Sequence, residues 1–166
     1  MRRVMQAAGA AGLLACMGHT APAEAQNAPK TAVILKGRCE QLVIPAGDVS
    51  ANCTGAVVNM IYLDGRSSFM FSDGTGDSAR ALISFSGMGS PSGASGTQPV
   101  DHVSAAKKSA TEAGGTDVES ENATGTCESG DYYKGSIEIR CTAQTQSGSF
   151  TASFKTDGAK PDVVNF

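Results

Sequence analysis

Apolar residues along this chain recur mainly with a period of two. Ile137, Ile139, Cys141 and Ala143 alternate with Glu138, Arg140, Thr142 and Gln144; beyond Ser147-Gly148, Phe150, Ala152 and Phe154 alternate with Thr151, Ser153 and Lys155. Successive strand side chains point to opposite faces, so residues 136–156 predict a hairpin with one buried and one wet face. Cys141 falls on the buried face. A second hairpin is predicted at 56–72. Val57 to Leu63 is rich in β-branched and large apolar residues, and Asp64-Gly65 suits a two-residue turn because both positions tolerate positive φ. Counting out from that turn sets Tyr62 opposite Ser67, Met60 opposite Phe69 and Val58 opposite Phe71. Val58, Met60, Phe69 and Phe71 then form a core cluster, with Asn59 on the other face.

Shorter segments follow the same pattern. Strands are expected at Thr31–Leu35, at Glu40–Pro45 before the turn Pro45-Ala46-Gly47-Asp48, at Ala81–Ser86 and near Val100–Ala106. Gly87 to Gly96 reads as a loop, Asp117–Cys127 as a polar edge strand, and the segment from Thr156 to Phe166 as a turn and tail. Within residues 99–113, Ala, Lys and Glu also favour helix, but no apolar stripe recurs there at helical spacing. Many short strands and frequent turns predict an all-β domain: a single β-sandwich or small barrel of antiparallel hairpins.

The N-terminus departs from this pattern. Arg2 and Arg3 precede a short apolar run from Val4 to Gly18, and a polar stretch ends in Ala23-Glu24-Ala25. A charged start, a short apolar middle and a small-x-small end form a signal peptide, here residues 1–25, with the mature chain starting at Gln26. Residues 26–30 are expected as a flexible lead-in and 31–166 as one β-rich domain. A rival processing site exists at Leu13-Leu14-Ala15-Cys16, which resembles a lipobox and would lipidate Cys16 as an outer-membrane anchor. The apolar run falls short of the roughly 20 residues of a spanning helix, and no later segment is longer, so no transmembrane segment is expected in the mature chain.

Cleavage after residue 25 of 166 leaves 141 residues, the size of one domain. It removes Arg2, Arg3 and Glu24 from 13 basic and 16 acidic residues, leaving 11 against 15 and a net charge near −4. That acidic balance argues against nucleic acid as a partner. Four cysteines remain beyond Cys16: Cys39, Cys53, Cys127 and Cys141. An even count in an exported chain reads as disulfides. The pairing Cys39–Cys53 with Cys127–Cys141 closes two loops of 15 residues. A crossed pairing of Cys39 with Cys127 and Cys53 with Cys141 stays open. The wide spacing disfavours a metal site.

No residue pattern in the chain matches a catalytic or cofactor motif. His102 beside Asp101 is the mature chain's sole histidine and reads as a surface strand residue. Glu138, and Glu119 with Glu121, read as solvated charges rather than a catalytic pair. Gly87-Met88-Gly89 has the wrong spacing to Gly93 for a nucleotide loop. Asp73-Gly74-Thr75-Gly76-Asp77 alternates oxygen ligands, but Ser78 and Ser84 stand where a calcium loop needs Gly and Glu. Asn52 and Asn122 match the glycosylation pattern and are taken as coincidences. No catalytic residue, cofactor or metal ligand is assigned. Tyr132-Tyr133-Lys134, in an expected loop, forms the candidate ligand contact.

Two strings resemble a known group: Cys39 … Cys53 … Asn59-x-x-Tyr62-x-Asp64-Gly65-Arg66-x-x-Phe69-x-Phe71, and Gly125-x-Cys127 … Ile139-x-Cys141-x-Ala143 … Gly148-x-Phe150-x-Ala152-x-Phe154. The mature chain resembles an uncharacterised group of small exported alpha-proteobacterial proteins. The resemblance implies a periplasmic or secreted address and no activity. The expected function is non-enzymatic: a binding or structural envelope domain whose partner is a protein or glycan of the cell envelope. Inhibition of an exogenous hydrolase, a protease or lysozyme, is the alternative, and an unrecognised enzyme the second alternative.

Overall fold

The computed structural model describes residues 28–74, 81–89, 96–108 and 116–166. The signal-peptide segment, Cys16, Gly93 and residues 75–80 of the calcium-like loop lie outside them. Among the described residues ten strands run in order: β1 (Pro29–Ile44), β2 (Gly47–Asp48), β3 (Cys53–Tyr62), β4 (Arg66–Asp73), β5 (Ala81–Met88), β6 (Gly96–Lys108), β7 (Thr116–Ser129), β8 (Glu138–Gln144), β9 (Ser149–Thr156) and β10 (Asp162–Asn165). From β3 to β9 each strand pairs antiparallel with the next; β3 and β9 both pair with β1. Eight strands therefore close into an up-and-down barrel, and of the two all-β alternatives the sandwich is excluded.

Closure depends on β1. Residues Pro29 to Lys36 pair with β3, whereas Gly37 to Val43 pair with β9. A register shift between Cys39 and Gln41 lies at the changeover. Extra residues of this kind bend a strand and increase its twist. The shift also changes which residues face inward, from Val33 and Leu35 before it to Leu42 after it. The runs at Thr31–Leu35 and Glu40–Pro45, expected as two strands, are thus one. β1 begins inside the expected lead-in, because Pro29 pairs with Tyr62. β7 is no edge strand: β6 and β8 flank it. The expected tail contains β10, which pairs with Thr31–Ile34 of β1.

The β3–β4 hairpin differs from expectation by one residue. Ile61 pairs with Ser67, Asn59 with Phe69 and Val57 with Phe71. The turn spans three residues, Leu63-Asp64-Gly65, rather than two. Gly65 has φ +87° and its N–H donates to the Tyr62 carbonyl, a geometry that a three-residue hairpin loop with left-handed glycine adopts. One residue of slip reverses every side chain on a strand. Val57 and Asn59 are accordingly buried, while Val58 and Met60 face outward. Asn59 stays satisfied inside: its Nδ2 donates to the Ser68 carbonyl at 3.2 Å, and its Oδ1 accepts from the Tyr132 hydroxyl at 3.5 Å.

The β8–β9 hairpin matches its prediction, with Ile139, Cys141, Ala143, Phe150, Ala152 and Phe154 all buried. They meet Phe69, Phe71, Phe85, Leu42, Val57 and Ile83 in one cluster that fills the barrel. Phe71 and Phe85 pack edge to face at 5.8 Å. An interior of eight strands is just wide enough for side chains to fill it.

Both local disulfides are present. Cys39–Cys53 ties the start of β3 back to β1 where β1 leaves it for β9. Cys127 and Cys141 are direct cross-strand partners on β7 and β8, both inward. Their bridge needs no crossing chain, because the segment between them is simply the β7–β8 loop and its strand ends.

Candidate functional site

The structure separates Tyr132, Tyr133 and Lys134. Tyr132 is 2% exposed and closes one end of the barrel from within. Around it the interior turns polar. The Ser67 hydroxyl donates to Gln98 Oε1 at 2.9 Å, and Gln98 Nε2 donates to the Ser67 carbonyl at 2.7 Å. Tyr133 is 51% exposed, its ring 5.1 Å from that of Tyr132. Asp131 organises the loop: its carboxylate accepts the Tyr133 N–H at 3.0 Å and pairs with the exposed Lys134 at 3.2 Å.

Above Tyr132 lies an open cup of about 430 Å³. Inward-facing Val33 and Ile61 line it from β1 and β3, and Val163 from β10 stands beside Val33 in register. Tyr133, Leu63 and Lys30 stand around it. Leu63 is 61% exposed and Val163 46%. Leu63 and Val163 were not anticipated: one lies on a turn one residue longer than the sequence suggested, the other on a strand read as tail.

A second concavity lies on the outer wall. Tyr62, Arg66, Ser86, His102, Ser104 and Ser120 line about 510 Å³ of open space. The register places Ser68, Ser86 and His102 in one cross-strand row, and Ser84, Ser104 and Ser120 in the next. His102 is half-exposed and not alone. Its Nδ1 lies 2.9 Å from Asp101 Oδ1, and the Arg66 guanidinium engages both Asp101 oxygens, one contact at 3.1 Å. Burial alone would raise the Asp101 pKa; hydrogen bonds from His102 and Arg66, with the charge of Arg66, outweigh it and hold the carboxyl below its ordinary value.

Two further acids, Glu121 and Glu138, hold structural contacts. Glu121 accepts the Ser147 hydroxyl at 2.7 Å and the Ser147 N–H at 3.1 Å, bracing the β8–β9 turn, and these bonds lower its pKa. It shares with Glu119 the rim of a small cavity of about 150 Å³ at the barrel's opposite end. Glu138 pairs with Arg140 at 2.6 Å and accepts from Ser153 on the outer face. Gly87 and Met88 belong to β5 rather than to a loop. Among the described residues no group of three or more His, Cys, Asp or Glu could hold a metal, and no helix is long and apolar enough to cross a membrane.

No family profile, curated protein or solved structure matches this chain.

Proposed function

We propose that this chain is exported and acts without catalysis as a rigid envelope barrel, binding a protein through the cup beside Tyr133. The observation that carries the reading is the position of Leu63, Tyr133 and Val163, large and exposed, around one end of a barrel whose interior is filled. A filled interior leaves no lumen for cargo, so a partner engages from outside. Tyrosine and aliphatic side chains around a concavity supply large contact area at low entropic cost. Export is supported by the leader pattern and by two disulfides compatible with an oxidising compartment.

Inhibition of a hydrolase is the second reading, favoured by the turn that carries Leu63. Asp64 Oδ1 accepts the Arg66 N–H at 2.9 Å, which stiffens an apolar tip suited to entering a cleft.

Two outcomes follow. The intact mass of the exported protein should correspond to a chain starting at Gln26; a lipid-sized increment on Cys16 would instead establish a lipoprotein. Affinity capture from envelope extracts should retain a protein that the folded double variant Leu63→Asp, Tyr133→Ala loses. Truncating interface anchors costs about 2 kcal/mol or more, over tenfold in affinity. Equal retention by the double variant would remove the cup as the contact surface. Inhibition of a lysozyme or protease that Leu63→Asp abolishes would select the second reading.

A further inference from the structure

A bulge in the β6–β7 pairing, whose extra residue lies on β7, leaves two consecutive β6 side chains exposed, Asp101 and His102. Val100 pairs with Gly125 and His102 with Asn122, with a register shift between them. Val100 and Val103 are both buried, so the two residues between them, Asp101 and His102, stand outside together. In a regular strand they would take opposite faces. Bulges commonly re-aim side chains at functional sites.

We infer that the concavity over this bulge is a binding site for a neutral oligosaccharide, adjoining the cup, with which it shares Tyr62. The chemistry points to that class in three ways. First, Asp101 sits between Arg66 and His102. Arg66 is thereby neutralised, which disfavours a phosphate or sulfate ligand, while the guanidinium and the imidazole keep the directional hydrogen bonding that sugar hydroxyls use. Second, Ser86, Ser104 and Ser120 line the concavity. Ser104 donates to Ser120 at 3.1 Å, which leaves the Ser120 hydroxyl to donate and the remaining oxygen lone pairs to accept from sugar hydroxyls, and the short side chains keep the space open. Third, Tyr62 contributes a ring with an apolar face and a polar tip. The volume of about 510 Å³ falls within the roughly 300–1,000 Å³ of small-molecule sites.

The test is titration of the oxidised protein with chitotetraose, maltotetraose and cellotetraose, followed by calorimetry and by the imidazole NMR signals of His102. Sodium sulfate serves as the anionic comparison. At least one tetrasaccharide should bind and shift the His102 signals. His102→Gln should weaken that binding about tenfold, the size of losing one hydrogen bond in a polar site. Ser120→Leu, which fills the concavity from an exposed position, should abolish it. Tyr133→Ala should leave it unchanged, which separates this site from the cup. Thermal midpoints confirm that each variant is folded. The inference is overturned if no tetrasaccharide binds at millimolar concentration, if binding persists unchanged in both site variants, or if sulfate alone moves the His102 signals.

Discussion

An alanine at Gly87 is expected to destabilise the barrel by about 3 kcal/mol or more, a large fraction of the about 5–15 kcal/mol that holds a single domain folded. Gly87 lies inward on β5, where β6 passes close over it. A Cβ there would fall 1.8 Å from the Pro99 carbonyl oxygen and 2.8 Å from its carbon. Both obstacles are backbone, so no side chain can rotate away and the β5–β6 seam must open. The same approach recurs at Gly37 against the Lys155 carbonyl oxygen (2.1 Å) and at Gly125 against that of Thr142 (2.0 Å). Glycine at such points lets strongly coiled strands come together in a closed sheet. Gly96→Ala is the comparison: nothing lies within 4 Å of its Cβ, and its cost should stay within about 0.5 kcal/mol. Urea unfolding of the two variants measures the difference. Equal midpoints would show that β5 and β6 do not approach as described.

Breaking the disulfides should have the second large effect. Each bridge closes a loop of 15 residues, worth about 3 kcal/mol on the chain-entropy account. Total stabilities of single domains are about 5–15 kcal/mol, so loss of both removes much of the margin. Cys39→Ser with Cys53→Ser, Cys127→Ser with Cys141→Ser, and the fourfold variant should show successively lower urea midpoints. Reductant should lower the wild-type midpoint to that of the fourfold variant and leave that variant unmoved. The first pair matters at the barrel's closure, because the bridge anchors the start of β3 where β1 turns to β9. The second joins neighbouring strands already in register. Non-reducing peptide mapping checks the pairing itself: a peptide joining Cys39 or Cys53 to Cys127 or Cys141 would contradict it.

Where binary patterning was strong, reading it was enough. The β8–β9 hairpin follows from strict alternation over two runs and a Ser-Gly turn, and each inward residue from Ile139 to Phe154 is buried as expected. The β3–β4 hairpin shows the limit. Its strands were legible, but apolar residues occupy both faces of β3, so alternation could not say which face is buried. The register then rested on turn length, and a single residue there exchanged Val58 and Met60 for Val57 and Asn59. A polar residue such as Asn59 is an acceptable core choice only because Ser68 and Tyr132, from β4 and a distant loop, supply partners.

The two concavities were less legible still. Tyr132-Tyr133 marked the right loop, but nothing local said which ring turns inward. The contact between Arg66 and Asp101 spans 35 residues of sequence and depends on the register shift between β6 and β7, which no turn residue announces.

What the sequence determined alone was the all-β class and the positions of most strands; it favoured the local cysteine pairing without excluding the crossed one. Each rests on short-range physics: two-residue periodicity, turn chemistry, loop length and segment composition. Tertiary structure decided that the sheet closes into a barrel, that the C-terminal segment adds β10 to it, and that Asp101 and His102 share a face. Those outcomes depend on backbone hydrogen bonds between remote segments and on where bulges fall along them. Backbone pairing is nearly indifferent to side-chain identity, so these features leave little trace in the order of the residues.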